Sequence, residues 1–189
     1  SDLTEGTVSP DTLTFTAANW NAAQMVTITG VNDDVDDGDI AYTIVLSAAT
    51  SSDGNYNGVD ADDVSMTNTD DDSAGITVAV TDSTTTETGE TGTFTVVLNS
   101  EPTGDVVLPI SSSDLTEGTV SPDTLTFTAA NWNAVQTVTI TGVNDDVDDG
   151  DIAYTILLSA ATSSDGNYNG VDADDVSMTN TDDDTASFT

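Results

Sequence analysis

The chain has 189 residues, of which 35 are Asp or Glu and none is Lys, Arg or His, so its formal net charge is -35. Without cations it cannot neutralise nucleic-acid phosphates or an anionic membrane surface. It also lacks a His general base, a Cys or Lys nucleophile, and an Arg or Lys to stabilise an oxyanion, which excludes most catalysis. With no Cys, disulfides are excluded, and zinc and copper lose their best ligands.

No apolar run approaches the roughly 18 residues of a membrane span, and no leader-peptide pattern opens the chain, so a soluble, internal piece is expected. Apolar residues at 36% with net charge far from zero fall where disordered chains lie. The pattern of the residues argues otherwise.

Taken from its start, the chain is a repeat. Residues 1–72 recur as 113–184, an offset of 112, with differences only at Ala23/Val135, Met25/Thr137 and Val45/Leu157. That period is too long for a solenoid or propeller repeat and matches a whole domain. The expected organisation is residues 1–72 as the last two-thirds of one repeat, 73–184 as a complete repeat, and 185–189 as the start of another. Either the array is cut, or another chain supplies the first strands of the first repeat.

Within the complete repeat, apolar residues alternate with period two and helical periodicity is absent. Seven strands are predicted. The first carries Ile76, Val78 and Val80; the second Phe94, Val96 and Leu98; the third Val106, Leu108 and Ile110. A short fourth carries Leu125 and Phe127, and the fifth Val138 and Ile140. The sixth carries Ile152, Tyr154, Ile156 and Leu158, and the seventh Val176 and Met178. Thr occupies most intervening positions, as suits a solvated sheet face. The fold class is therefore all-β: tandem immunoglobulin-like antiparallel β-sandwiches with about seven strands per 112-residue repeat. Trp132 and Tyr168 fall in connections, where they are expected to cap a sandwich end.

If successive strands alternate in direction, 14 of the repeat's 20 acids gather at one pole. These run from Asp82, Glu87 and Glu90 through Asp114, Glu117 and Asp123 to the Asp145–Asp151 and Asp182–Asp184 clusters. Two like charges about 4 Å apart repel by about 1 kcal/mol in water and about 4 at an effective dielectric near 20, so a bound cation is required. Hard carboxylate oxygens on flexible loops select Ca2+. The competing reading is an acidic solvated coat that maintains solubility. Asp outnumbers Glu by 30 to 5, and short Asp side chains in Gly-containing loops suit coordination and turns more than a coat does.

The run from Asp145 to Asp151 is not an EF-hand, because Val147 and Ile156 stand where ligands are needed. For Asp165-Gly-Asn-Tyr-Asn-Gly170 two readings stand: an Asn/Gly turn, or half a Ca2+ loop completed irregularly by Asp172, Asp174 and Asp175.

Three stretches carry a family resemblance. They are Thr86-Glu-Thr-Gly-Glu-Thr-Gly-Thr-Phe-Thr-Val-Val-Leu98, Gly118-Thr-Val-Ser-Pro-Asp-Thr-Leu-Thr-Phe127 and Gln136-Thr-Val-Thr-Ile-Thr-Gly-Val-Asn-Asp-Asp146. Their order resembles Calx-beta domains, and closer still the Calx-beta-like repeats arrayed in giant bacterial surface and RTX-type adhesins. The resemblance implies Ca2+ at one pole, held by Glu87, by Asp145 and Asp149 with Asp146 in the same acidic run, and by Asp182, Asp183 and Asp184. Asp114 or Glu117 would add a ligand. The corresponding residues of the first repeat are Asp33, Asp34, Asp37, Asp70, Asp71 and Asp72. This sequence has Asn144 where the family often has an acid, and Glu101 and Asp105 match no site.

Because the last acids are also the linker, Ca2+ there would fix the hinge to the next repeat, with Asp165 to Asp175 facing the junction. The expected role is a non-catalytic, Ca2+-rigidified extender of a secreted or bacterial cell-surface adhesin or extracellular fibre. Its expected partners are neighbouring repeats of the same chain and other copies in a fibre, with no nucleic acid and no membrane insertion. The alternatives are a Ca2+-dependent glycan- or surface-binding module and a strand-exchanged filament subunit.

Overall fold

The structure, a computed structural model, describes residues 2–187. They divide into two units: Ser1–Asp33 with Asp37–Asp71, and Asp34–Asp36 with Asp72–Thr189. All the regular elements in them are strands.

The second unit contains β5 (Ile76–Asp82), β6 (Thr84–Thr86), β7 (Thr91–Leu98), β8 (Val106–Ser112), β9 (Gly118–Ser121) and β10 (Thr124–Phe127). It continues with β11 (Gln136–Gly142), β12 (Ile152–Leu158), β13 (Thr162–Ser163) and β14 (Val176–Thr181). One sheet has the order β5-β7-β11-β9; the other has β10-β8-β12-β14-β6, with β13 against β8. The alternate residues of each sheet meet in one core: Phe94, Val96 and Leu98 from β7, Val106, Leu108 and Ile110 from β8, and Val138 and Ile140 from β11. Tyr154, Ile156 and Leu158 from β12 and Val176 and Met178 from β14 complete it. This is the expected immunoglobulin-like sandwich, with Thr on the wet faces.

Three details depart from the expected strands. The first strand breaks after a register shift between Val80 and Asp82, and its continuation β6 crosses to the other sheet. There it pairs with β14 in parallel, Thr179 opposite Thr84 and Thr181 opposite Thr86, so the sandwich is not wholly antiparallel. Val80, beside that shift, is 50% exposed and lies outside the core. The short fourth strand is β10, paired with β8, and an unexpected strand β9 precedes it, paired with β11, the chain changing sheets at Ser121-Pro122. Pro lacks the N–H that a continuous ladder needs there. The Asp123 carbonyl accepts the Ile110 N–H at 2.8 Å.

The first unit contains β1 (Gly6–Ser9), β2 (Thr27–Gly30), β3 (Ile40–Ile44) and β4 (Val64–Asn68), as the separate pairs β1-β2 and β3-β4. Register is the same as in the second unit: Gly6 faces Gly30 as Gly118 faces Gly142, and Ile40 faces Asn68 as Ile152 faces Asn180. Residues 12–15 and 50–51, identical to β10 and β13, are not strands. Both of those strands owe their pairing to β8. A strand exists only where a neighbour takes its hydrogen bonds.

Trp132 packs against the core edge as expected. Tyr168 is fully buried and its hydroxyl donates to the Ser100 carbonyl at 2.7 Å while accepting the Ser100 N–H at 3.0 Å. Tyr168→Phe should leave that buried N–H without a partner and lower stability by about 1–3 kcal/mol. Chemical denaturation of the second unit's transition checks this; an unchanged midpoint would show that Ser100 finds water instead.

Candidate functional site

The pole where β5, β8, β11 and β14 end is built first by close approach. A Cβ on Gly142 would strike the Thr86 carbonyl and the Asn180 Oδ1, so Gly lets β11 lie against the turn after β6. A Cβ on Gly118 would strike the Tyr154 ring. In the acidic loop between β11 and β12, Gly150 adopts φ +78°, a left-handed conformation open to Gly, and its N–H donates to Asp182 Oδ2 at 2.7 Å. The Asp182 N–H donates back to Asp151 Oδ1 at 3.3 Å, tying that loop to the residues after β14.

On this frame Glu87, placed by the turn between β6 and β7, is brought together with two carboxylate sets. Oxygens of Glu87, Asp149 and Asp182 lie within 4.8 Å of one another, and so do those of Glu87, Asp183 and Asp184. Glu87 is buried, Asp182 and Asp184 are half-buried, and Asp149 and Asp183 are exposed. The cluster therefore opens to solvent on one side with its deepest oxygen supplied by Glu87. Among the described residues Glu87 Oε2 and Asp184 Oδ2 are buried with no hydrogen-bond partner. Burial pushes the Glu87 pKa up, opposed by a backbone hydrogen bond from Asp183 and reinforced by the charges of Asp145, Asp182 and Asp184. Burial also raises Asp184, with Asp183, Asp146, Asp182 and Asp145 adding to it. Asp145 and Asp146 thus act on the cluster through their charge, while the Asp145 Oδ1 is engaged by the Val147 N–H at 2.7 Å.

The two remaining candidates stand apart from both oxygen sets. Asp114 Oδ1 accepts the N–H and hydroxyl of Thr116, hydrogen bonds that hold its pKa below the ordinary value. Glu117 is buried and its Oε2 accepts from Asn180 Nδ2 at 3.3 Å. Asn180 also donates to the Val143 carbonyl and accepts from Thr85, whose hydroxyl is 2.9 Å from the Tyr154 hydroxyl. This network braces the pole. Asn180 was missed in the sequence, although a signal existed: it continues the inward alternation of Val176 and Met178 with a polar residue.

In the first repeat the same frame recurs, since the Gly38 N–H donates to Asp70 Oδ2 at 2.7 Å and the Asp70 N–H to Asp39 Oδ1 at 3.1 Å. Burial raises the Asp37 pKa, with Asp33, Glu5 and Asp70 contributing. Asp33, Asp37, Asp70 and Asp71 belong to the first unit, Asp34 and Asp72 to the second. Among the described residues no three-carboxylate group forms there.

The Asp165 motif is a turn. Asp165 Oδ1 accepts the Asn167 N–H at 2.9 Å and Oδ2 the Thr103 N–H at 2.8 Å. Burial works against its charge, but those hydrogen bonds outweigh it and hold the pKa low. The same turn closes at Asp53 and Asn55 in the first unit.

The chemistry of the donor set fits Ca2+. Hard oxygens from separate loops converge, two of them buried and unshared, and no cation of the protein is within reach because the sequence holds none. The structure resembles that of SSP-19, an MSP-domain-like protein of Caenorhabditis elegans, at 16% identity and a TM-score of 0.36, covering 56% of this chain and 94% of that one. It resembles domains 4 and 5 of the S-layer protein SbsC at 13% identity and a TM-score of 0.36, covering 82% and 80%. Those two likenesses are too weak to carry an argument. No curated protein matches the chain. The model of the Calx-beta domain, however, matches residues 7–72, 55–119 and 69–185, so that together the three segments span nearly the whole sequence, and the chain belongs to the Calx-beta domain family.

Proposed function

We propose that the chain is a Ca2+-binding structural array without catalytic activity, serving as an extender in a large secreted or cell-surface adhesin or extracellular fibre. The observation that carries the reading is the pair of buried oxygens, Glu87 Oε2 and Asp184 Oδ2, left unshared in a cluster of like charge. An unpaired buried carboxylate is costly, and a cation is the partner that removes the cost. Glu87, Asp149, Asp182, Asp183 and Asp184 would hold the ion, with Asp145 and Asp146 adding negative potential. Asp114 and Glu117 would orient the surrounding loops.

Asp182 to Asp184 also lead out of the domain, so an ion held there would restrain the chain that follows. Asp33, Asp37, Asp70 and Asp71 would do the same within the first unit. Near-identical copies support a spacer, in which length matters more than a distinctive surface. An extracellular or surface setting supplies Ca2+ at the millimolar levels such sites need, with an expected Kd of about 10⁻⁴–10⁻³ M.

Calcium at about 100 times Kd should stabilise the second unit by about 2.7 kcal/mol, raising Tm by roughly 10 °C or more. In Glu87→Gln most of that increment should disappear. Calorimetric scans in EDTA and in Ca2+ measure both; equal Tm values for the wild-type chain in the two conditions would rule the reading out. Small-angle scattering should show a longer, stiffer particle with Ca2+ than with EDTA.

A pH dependence follows from the raised carboxyls. Glu87 and Asp184 bind protons more tightly folded than unfolded, where their ordinary values are 4.5 and 3.8. Their protonation therefore supports the ion-free fold at low pH, and that support is lost as pH rises through the raised folded values. In EDTA, Tm should fall as pH climbs from the ordinary carboxylate range toward neutrality. In saturating Ca2+ it should rise over the same window, because the ion needs the deprotonated ligands. A Tm in EDTA that climbs with pH would contradict this assignment of the shifts.

A further inference from the structure

Asn180 is a buried amide, 1% exposed, at the end of the apolar row of β14. Its Nδ2 donates to the Val143 carbonyl at 3.0 Å and to Glu117 Oε2 at 3.3 Å, and its Oδ1 accepts the Thr85 hydroxyl at 3.0 Å. A carbonyl and a carboxylate oxygen only accept, so the amide has one orientation, with both protons used. The arrangement recurs in the first unit, where Asn68 Nδ2 donates to the Val31 carbonyl at 2.6 Å and to Glu5 Oε2 at 3.3 Å.

The partners of Asn180 are spaced regularly from the acids of the pole. Thr85 stands two residues before Glu87, and Val143 two before Asp145, the first acid of the loop that carries Asp149. Asn180 itself stands two residues before Asp182. One buried side chain therefore grips all three segments whose carboxylates converge, just ahead of their first acid. Backbone bonds lock the same places: the Glu87 N–H donates to the Thr181 carbonyl at 3.1 Å and the Val143 N–H to the Glu117 carbonyl at 3.0 Å. With its Oδ1 on Thr85 and against Gly142, Asn180 contributes position and not a ligand oxygen.

We propose that Asn180 is the positioning residue of the cation site: it sets the affinity for Ca2+ by holding the Glu87 turn, residues 145–149 and residues 182–184 together, without touching the ion. The inference rests on the Ca2+ reading above. Charge alone makes the opposite forecast. Asn180→Asp keeps the shape of the side chain and adds a negative charge near a dication site, which by Coulomb attraction would tighten binding. Positioning requires a loss, because the introduced oxygen faces the Val143 carbonyl and the Glu117 carboxylate, two acceptors left without a donor.

The test titrates Ca2+ into the full chain by calorimetry, at mildly alkaline pH where the introduced carboxyl is ionised, with the heat lost in Glu87→Gln defining the second unit's site. Thermal scans in EDTA read the ion-free fold separately. Asn180→Asp should raise Kd about tenfold or more. Combining it with Glu117→Gln keeps the summed charge of the pair and restores an amide donor between the two positions, and should recover at least about threefold of that loss. If Asn180→Asp does not fold in EDTA, Thr85→Val decides: it removes the hydroxyl that holds Oδ1, leaves the backbone pairing of β6, and should weaken binding about threefold. A Kd in Asn180→Asp equal to or tighter than wild type would overturn the proposal, including the case in which only the EDTA melting falls, which marks a purely structural residue. So would a double variant that recovers nothing, or wild-type affinity in Thr85→Val. A wild-type chain with no Glu87-dependent heat would overturn the Ca2+ reading and this proposal with it, whereas the other outcomes sink this proposal alone.

Discussion

No acid in this protein can pair with a basic side chain, because the sequence holds none. Backbone N–H groups meet part of the demand. Asp145, Asp151, Asp165 and Asp182 each accept one or more, from their own loop or from a neighbouring one. Among the described residues the buried oxygens left unmet are Glu87 Oε2 and Asp184 Oδ2. The loops are thus organised so that local hydrogen bonds satisfy the peripheral acids and leave the central ones available. That division is what distinguishes the pole from a uniformly solvated acidic surface.

Much of the sandwich could be read from the residues. Alternation located the core strands because each has one dry face, and Phe94, Val96, Val138 and Ile156 are where a period of two puts them. The convergence of Glu87 with the acids after β14 followed from strand direction alone. Less legible were features that depend on a partner far away in sequence. The crossing of β6 to the second sheet rests on three Thr residues whose preference for one sheet over the other has no local signature. The splitting of β9 from β10 is marked by Pro122, yet Pro alone does not say which sheet each half joins. Asp114 and Glu117 resembled ligands by position, but hydrogen bonds to Thr116 and Asn180 give them local employment that composition does not reveal.

The duplicated segment separates local from nonlocal determinants within one molecule. β1-β2 and β3-β4 keep their register in both settings, so these pairs are specified by their own alternation and connections. Residues 12–15 form a strand in one copy only, although the four side chains are identical. Sheet propensity there describes a readiness to pair, and pairing itself is conferred by β8. The Asp53 and Asp165 turns show the opposite case, folding alike because their hydrogen bonds close within a few residues.

The parallel pairing of β6 with β14 has a mechanical consequence. β14 is the last strand before the chain leaves the domain, β6 directly follows β5, by which the chain enters, and the two run in the same direction. Tension along the chain pulls them in opposite senses along their length, so the bonds between Thr84–Thr86 and Thr179–Thr181 are loaded in shear. They must fail together, whereas a pair peeled from one end would open bond by bond. The acidic pole sits directly at the end of that parallel pair.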